Sequence, residues 1–246
     1  MQLEGKTAII TGAGSGFGAG IAERFRLEGA KVIIADKDQT SAKRVAHNID
    51  AIPYQIDVTK INSVREMIKF AKRTFKRIDI LVNNAGITHL PAPMENITEK
   101  EFDKVLSVNA KSVFLTAESI VPVFKRQKTG VILNIASTAG VSPRPNLTWY
   151  NASKGWMITA TKTMAVELAP YNVRVNSLAP VAGETPLLKS FLGEDTPERR
   201  KAFLSTIPIG RFSKPQDLGN AASFLCSDEA NMITGVTLEV DGGRCI

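Results

Sequence analysis

The chain of 246 residues is poor in cysteine and histidine, and it contains no long apolar run. Its only cysteines, Cys226 and Cys245, exclude a disulfide framework and favour the free thiols of a cytoplasmic protein. No stretch of about 18 apolar residues occurs, and no targeting segment precedes the first glycine-rich loop, so we expect no membrane association. A chain of this length can bury about three-quarters of its unfolded surface. It therefore needs no stabilising metal, and we expect no metal site.

Basic residues are in moderate excess over acidic ones, 31 against 24, which gives a net charge of +7. The densest basic stretch is 60–77, where apolar residues alternate with the bases at near-helical spacing. This pattern is typical of an amphipathic helix with a solvated basic face. Because no nucleic-acid-binding motif accompanies the charge, we expect no nucleic-acid partner.

Short apolar runs rich in β-branched residues alternate with longer amphipathic stretches along the whole chain. Strands are predicted over 7–10, 31–35, 54–58, 78–82, 131–135, 173–178 and 236–240. Helices are predicted over 18–27, 41–48, 60–77, 99–124, 150–168 and 215–226. This alternation predicts an α/β fold with a doubly wound parallel sheet and helices on both faces. No linker or repeat divides the pattern, so we expect one domain over 1–246.

The segment 181–211 breaks the alternation. It is rich in proline and glycine, yet it carries short apolar patches such as Leu187-Leu188 and Phe203-Leu204. Long irregular insertions in compact domains usually have a function. We therefore predict that this segment is a lid over a bound substrate.

A glycine-rich loop lies between the first predicted strand and helix, in the residues Gly12, Ser15, Gly16, Phe17 and Gly18. Glycines permit a tight turn, and the N-terminus of the following helix offers free N–H groups and a positive dipole end to a phosphate. The spacing differs from the commoner Gly-x-Gly-x-x-Gly fingerprint.

An aspartate, Asp36, ends the second predicted strand, where a carboxylate can accept hydrogen bonds from both hydroxyls of an adenosine ribose. The same charge would repel a 2′-phosphate, and only Lys37 follows it. The sequence therefore predicts NAD rather than NADP.

Tyr150 and Lys154 lie four residues apart at the start of a predicted helix, so their side chains emerge on one face. An ammonium group beside a phenol favours the phenolate and lowers the pKa of the tyrosine. Such a tyrosine suits general acid–base catalysis of alcohol–carbonyl interconversion. Ser137 and Asn109 offer a hydroxyl and an amide that would complete a proton relay.

In order and spacing, these motifs resemble those of the short-chain dehydrogenase/reductases, in their compact branch. The resemblance covers essentially the whole chain, and it implies a Rossmann-like fold. The matching motifs are Thr11-Gly12-x-x-x-Gly16-x-Gly18, Asp57-Val58, Asn83-Asn84-Ala85-Gly86, Asn109, Ser137 with Tyr150-x-x-x-Lys154, Asn176 to Pro180, and Asp241-Gly242-Gly243.

The resemblance implies contacts with the cofactor. Asp57 and Val58 would contact the adenine. Asn84, Ala85, Gly86 and Pro180 would line the cofactor, and Thr185 would touch its carboxamide. The sequence departs from the family pattern at one position: Val181 follows Pro180, where the family usually has glycine. Because a β-branched residue disfavours positive φ, we expect the turn to be routed through Gly183.

The resemblance also implies catalytic roles. Tyr150 would exchange a proton with the substrate oxygen, to which Ser137 would hydrogen-bond. Lys154 would bind the nicotinamide ribose and hold the tyrosine pKa down, and Asn109 would anchor a water that links Lys154 to bulk solvent. Homotetramers are usual in the family, with the helices of Asn109 and Tyr150 at an interface. Val113, Leu115, Met157 and Met164 are compatible with that packing.

The substrate is less well defined by the sequence. In segment 181–211 the bases Lys189, Arg199, Arg200 and Lys201 balance the acids Glu184, Glu194, Asp195 and Glu198, which argues against a polyanionic substrate held there. An NAD-dependent dehydrogenase of a sugar or small secondary alcohol is the favoured prediction. A 3-oxoacyl-(acyl-carrier-protein) reductase is the alternative, with Lys125, Arg126 and Lys128 as a docking site for an acidic carrier. A non-catalytic sensor of NAD(H) is an alternative of another class.

Overall fold

The computed structural model describes residues 1–246, and its strands and helices alternate. The strands are β1 (Thr7–Thr11), β2 (Lys31–Asp36), β3 (Ile52–Gln55), β4 (Ile80–Asn83), β5 (Gly130–Ile135), β6 (Val173–Pro180) and β7 (Thr237–Val240). The helices are α1 (Gly16–Leu27), α2 (Gln39–Asn48), α3 (Ile61–Phe75), α4 (Glu99–Leu106), α5 (Ser112–Gln127), α6 (Thr148–Leu168), α7 (Leu188–Leu192), α8 (Pro197–Leu204) and α9 (Pro215–Cys226).

All seven strands pair in parallel in one sheet, in the order β3-β2-β1-β4-β5-β6-β7. The chain order reverses between β1 and β4. In open parallel sheets, such a reversal leaves a crevice at the carboxyl ends of the strands, where ligands bind. The topology therefore locates the functional edge of the sheet before any side chain is considered.

Hydrophobic cores cover both faces of the sheet. Neighbouring strand residues point to opposite faces, so Ile10 belongs to the core that includes Phe25 of α1, whereas Ile9 belongs to the core that includes Phe124 of α5. These cores contain 22 and 20 buried residues, so neither face is left to solvent. The predicted doubly wound α/β sheet with helices on both faces is confirmed.

Some predicted boundaries are wrong. β3 spans Ile52–Gln55 rather than 54–58. The chain turns after this strand because the Asp57 carboxylate accepts a hydrogen bond from the Thr59 N–H at 3.0 Å. β4 begins at Ile80 rather than 78, because the Asp79 carboxylate accepts the Thr7 N–H at 2.9 Å. The predicted helix over 99–124 is interrupted by a π-helical turn, Ser107–Lys111.

The segment 181–211 is more ordered than an irregular insertion. It contains α7 and α8, and its apolar side chains form a small core with Phe212. That core consists of Val181, Leu188, Leu192, Ile207 and Phe212. The apolar patches thus pack mainly on one another, while the role of the segment as a lid stays a prediction.

Three of the residues proposed for a subunit interface do not reach the surface. Val113, Leu115 and Met157 are buried in the cores of their own chain. On the same two helices, the large apolar side chains that are exposed are Phe114, Trp156 and Val166.

Both cysteines are free thiols. No helix in the structure combines the length and the apolar character needed to cross a bilayer.

Candidate active site

One cavity of about 620 Å³ opens at the carboxyl edge of the sheet. It brings together most of the residues singled out by the sequence. These are Gly12, Ser15, Gly16, Phe17, Asp36, Asp57, Val58, Asn84, Ala85, Gly86, Ser137, Tyr150, Lys154, Pro180 and Thr185. Gly18 and Asn109 lie behind the wall rather than in it. No group of three or more His, Cys, Asp or Glu side chains is arranged to hold a metal ion.

The glycine-rich loop is built for close approach. Gly12 has a φ of +63°, and a Cβ there would lie 2.8 Å from the Ala85 Cα. Gly16 has a φ of +56°, and a Cβ there would lie 3.2 Å from the Thr185 Cβ. Ser15 precedes α1 without a side-chain cap, so the N–H groups of the first turn remain available. This is the geometry of an anion site at a helix N-terminus.

Thr11 and Asn84 fix this loop against β4. The Asn84 Nδ2 donates to the carbonyl oxygens of Thr11 and Gly12, both at 2.9 Å. The Thr11 Oγ1 accepts the N–H groups of Asn84 and Ala85 at 3.1 and 3.2 Å. Asn84 therefore acts mainly as a clamp, and a Cβ on Gly18 would overlap its amide. The sequence motif included Thr11 but did not predict that its hydroxyl fixes the loop. Its position directly before the first glycine could have suggested this role.

Asp36 lies at the opposite end of the cavity from Tyr150. Its Oδ2 accepts the Gly14 N–H at 2.8 Å and its Oδ1 accepts the Asp38 N–H at 2.9 Å. Asp57 is beside it, with its pKa held below the usual value chiefly by the Thr59 hydroxyl, and Lys37 lies 3.7 Å from the carboxylate of Asp57. The sequence missed Arg44, whose guanidinium donates to the Gly14 carbonyl at 3.2 Å.

The spacing of these groups fits a dinucleotide. Asp36 ends β2 and Ser137 follows β5, three strand positions away, which is roughly 14 Å at the usual interstrand distance. The glycine-rich loop lies between them, after β1. A carboxylate for a ribose, a helix N-terminus for the phosphates and a tyrosine–lysine pair thus follow one another along the crevice. The residues present fit a nicotinamide dinucleotide.

The π-helical turn places Asn109 inward. Its side chain is fully buried, with the Oδ1 accepting the Ile87 N–H at 2.9 Å and the Nδ2 donating to the Ile87 carbonyl at 2.9 Å. The Nδ2 also donates to the Ser153 Oγ at 3.0 Å. Both amide protons are therefore used, and only the Oδ1 keeps a lone pair for a water. The visible role of Asn109 is to join α6 to the loop after β4.

Tyr150 and Lys154 lie side by side in the wall of the cavity, and both are buried. The Lys154 Nζ lies 5.9 Å from the centre of the tyrosine ring and donates to the Ile135 carbonyl at 2.7 Å. Ser137 follows β5 next to them, and its hydroxyl accepts the Ala139 N–H at 3.1 Å. The predicted convergence of hydroxyl, phenol and amine is therefore present in the geometry.

The expected direction of the tyrosine pKa is wrong. Burial raises the pKa of Tyr150 to about 12, and the Ser137 hydroxyl and the Arg144 guanidinium oppose this only in part. Burial also lowers the pKa of Lys154 to about 8. Lys154 is not among the groups that lower the tyrosine pKa, because its amine loses its charge above about pH 8, well below the pH at which the Tyr150 phenol titrates.

The departure at Val181 is accommodated without strain. Neither Val181 nor Gly183 has a positive φ. Val181 is buried, and its N–H donates to the Val240 carbonyl at 3.3 Å. Gly183 is needed for another reason: a Cβ there would overlap the Phe17 ring and lie 2.8 Å from the Ser213 carbonyl oxygen. The expected rerouting through a left-handed glycine is therefore wrong.

The fold and the site together define a class, the Rossmann-like oxidoreductases with a serine–tyrosine–lysine site. Comparisons with known proteins give the same class. The family model described as enoyl-(acyl carrier protein) reductase matches residues 12–244. The 4-formylbenzenesulfonate dehydrogenase of Comamonas testosteroni is 46% identical, over 100% of both chains. The 3-oxoacyl-(acyl-carrier-protein) reductase of Thermotoga maritima is 39% identical, also over 100% of both.

A solved structure is closer still in sequence. It is a 3-ketoacyl-(acyl-carrier-protein) reductase from Brucella melitensis complexed with NADH, 51% identical, with a TM-score of 0.95 over 99% of this chain and 100% of the other. The chain belongs to the short-chain dehydrogenase/reductase family. It is an oxidoreductase of that family, and the relatives span more than one substrate.

Proposed function

We propose that the chain is an NAD-dependent dehydrogenase that interconverts a secondary alcohol and its carbonyl compound. One observation carries the proposal: Ser137, Tyr150 and Lys154 share a cavity with the glycine-rich loop and Asp36. The first three residues suit proton transfer to an oxygen, and the other two suit a dinucleotide. The sequence pattern that suggested this chemistry and the geometry therefore support the same reaction.

Tyr150 is the proposed general acid and base. With a pKa raised to about 12, the phenol is protonated at neutral pH and is suited to donate its proton to a carbonyl oxygen during reduction. Ser137 would donate a hydrogen bond to the same oxygen, and Lys154 would hold the ribose hydroxyls and pass on protons. When bound, the nicotinamide supplies or accepts the hydride. Asn109 supports these groups through Ser153 and Ile87.

NAD is the proposed cofactor, with Asp36 as the discriminating residue. Gly14 and Asp38 hold the carboxylate in place, so a 2′-phosphate would meet a fixed negative charge. The relative of known structure described with NADH supports the same cofactor. Lys37 and Arg44 are the nearby bases that would weaken this discrimination. The remaining proposed contacts are those of Asp57, Val58, Asn84, Ala85, Gly86, Pro180 and Thr185.

A 3-oxoacyl-(acyl-carrier-protein) reductase is the second candidate, favoured by the 51% identical structure and by the reductase of Thermotoga maritima. The acidic carrier would dock at the basic end of α5, where Lys125, Arg126 and Lys128 lie. Lys125 is partly engaged there, because its ammonium lies 4.3 Å above the Tyr171 ring. The dehydrogenase of Comamonas testosteroni favours the first candidate.

The test combines cofactor titration with Tyr150→Phe. The pure protein is titrated with NADH and NADPH, and nicotinamide absorbance is then followed with sugars, secondary alcohols and 3-oxoacyl thioesters. We expect tighter binding of NADH and alcohol turnover. Tyr150→Phe should lower kcat by about 10²–10⁴-fold and keep NADH affinity within about twofold, because only the transferred proton is removed.

Three results would contradict the proposal in different ways. Turnover of thioesters alone would favour the reductase. Tighter binding of NADPH would show that Lys37 or Arg44 outweighs Asp36. NADH binding without turnover in either the wild type or Tyr150→Phe would indicate a sensor. As a control, Tyr171→Phe removes a hydroxyl that does not line the cavity and should leave kcat unchanged.

A further inference from the structure

Two arginines line the same cavity beside Tyr150 and have no carboxylate partner. Arg144 precedes α6 and Arg244 lies near the end of the chain, and both reach the cavity that contains Tyr150. Neither takes part in an ion pair. Arg144 donates only to the Phe191 carbonyl at 3.1 Å, and Arg244 only to the Thr206 hydroxyl at 3.2 Å. Most of their N–H groups are therefore free to bind a ligand.

The aromatic rings of segment 181–211 position the two guanidinium groups. Arg144 lies 4.7 Å from the centre of the Phe203 ring, and Arg244 lies 5.5 Å from the same ring. Arg144 also lies 5.8 Å from the Phe191 ring, which packs edge-on against Tyr150 at 5.2 Å. Rings that stack on guanidinium groups hold them without neutralising their charge.

Dedicated backbone contacts fix the two arginines. The Asn151 Nδ2 donates to the Arg144 carbonyl at 2.8 Å. The Asp241 carboxylate accepts the N–H groups of Gly243 and Cys245 at 2.9 and 2.8 Å, which closes the turn that carries Arg244. The Asp241-Gly242-Gly243 motif thus has a structural consequence: it directs a cation toward the cavity.

Acidic side chains line a different part of the cavity from Arg144 and Arg244. The only acids that line it are Asp36 and Asp57, at the ends of β2 and β3. Of the four acids in segment 181–211, Glu194 pairs with Arg199 at 3.3 Å and Asp195 pairs with Arg200, and neither Glu184 nor Glu198 lines the cavity. The near neutrality of that segment therefore says little about the substrate, since none of its ionisable side chains lines the cavity, whereas Arg144 and Arg244 do. Two like charges near each other are costly unless an anion joins them.

We infer that the substrate carries an anionic group, a carboxylate or sulfonate, that Arg144 and Arg244 bind while Tyr150 faces its alcohol or carbonyl carbon. This rests on the proposed function and adds the substrate class to it. The body between the two groups is apolar or aromatic, because Phe191, Phe203 and Tyr150 supply the neighbouring surface. Guanidinium groups match the planar geometry of carboxylates and bind them with charge-assisted hydrogen bonds.

The test compares two ketones that differ only in charge, 4-acetylbenzoate and methyl 4-acetylbenzoate, with NADH as reductant. We expect kcat/KM for the acid to exceed that for the ester by at least tenfold. In Arg244→Gln that ratio should fall by about 10–100-fold, mainly through KM of the acid, as the loss of a hydrogen bond between charged groups implies. Arg244→Lys keeps the charge and should restore part of the ratio.

Arg73→Gln is the matched control, since it removes the same charge from an exposed position on α3 that does not line the cavity. It should leave both the ratio and the rates unchanged. A second measurement does not depend on turnover. Calorimetric titration of the NADH-saturated protein should show benzoate binding at least tenfold more tightly than benzamide, with that preference lost in Arg244→Gln.

The outcomes separate this inference from the proposed function. Equal use of acid and ester, or equal binding of benzoate and benzamide, would overturn the inference and leave the dehydrogenase proposal intact. Absence of hydride transfer to any carbonyl compound would instead remove the proposed function. In that case a benzoate preference that depends on Arg244 would still support an anion site. An equal loss of kcat/KM for the acid and the ester in Arg244→Gln would mean that Arg244 only stabilises the conformation of segment 181–211 and does not bind the substrate.

Discussion

At the scale of single residues, burial gives Lys154 and Tyr150 opposite effects on stability as pH changes. Lys154 has a pKa lowered from 10.5 to about 8, so an unfolded chain binds its proton more tightly than the folded one. The resulting penalty is fully present below about pH 8 and disappears as pH rises toward 10.5. Tyr150, with a pKa raised from 10 to about 12, stabilises the fold until pH rises through that range.

Lys154→Met tests this linkage. A shift of this size corresponds to about 3 kcal/mol at neutral pH. Between pH 7 and pH 10 the free energy of unfolding of the wild type should therefore rise by about 2 kcal/mol relative to that of Lys154→Met. Urea denaturation at the two pH values measures it. Lys162→Met, an exposed lysine of the same helix, should show no such difference, and a parallel pH dependence for all three proteins would contradict the assignment.

The Tyr-x-x-x-Lys spacing predicted that both side chains share one helix face, which the geometry of α6 confirms. It did not predict their protonation. A sequence shows that a lysine is near a tyrosine, but the pKa depends on how much water each group loses. Only the packing of α6 against β5 and the loop before it sets that loss.

At the scale of elements, the segment 181–211 illustrates how composition can mislead. Its prolines and glycines predicted an irregular insertion, whereas α7, α8 and the small core around Phe212 give it regular structure. The π-helical turn before α5 was not predictable either, because its sequence continues the periodicity of a normal helix. Such turns are frequent at functional sites, and this one aims Asn109 inward.

Leu188→Ala tests whether segment 181–211 is a separate folding unit. Leu188 is buried in the small core with Leu192 and Phe212, so the truncation should destabilise that core by about 2–5 kcal/mol. Amide hydrogen exchange should become faster across 185–206 while β1 and β5 keep their protection. Leu27→Ala, at an exposed site of α1, is the control. Uniform loss of protection across the sheet would show that the segment is part of the main cooperative unit.

At the scale of the whole molecule, subunit assembly stays a prediction. The residues exposed on α5 and α6, which would form the contact between subunits, differ from the residues predicted from the sequence. Phe114 on α5 is 58% exposed and Trp156 on α6 is 43% exposed, so both side chains are free to contact another subunit. They lie on the two helices predicted to face another subunit. The residues first named for that contact, such as Met157, instead stabilise the chain itself.

Phe114→Glu should therefore shift the assembly to smaller species, because it would bury an unpaired charge in the interface. Light scattering after size-exclusion chromatography should give four times the chain mass of 26.7 kDa for the wild type and less for the variant. Leu27→Glu, on α1, should not change the mass. A monomeric wild type would refute the tetramer.

The sequence by itself determined the sheet class, the alternation of elements and the family, since strand and helix periodicities and short motifs are local properties. It also determined which residue types meet at the carboxyl edge of the sheet. The tertiary structure alone decided the pKa direction of Tyr150, the conformation after Pro180 and the clamp formed by Thr11 and Asn84. It also brought Arg144 and Arg244, one hundred residues apart, to the same cavity. The physical reason is that solvation and charge proximity depend on contacts between distant segments, which no local pattern contains.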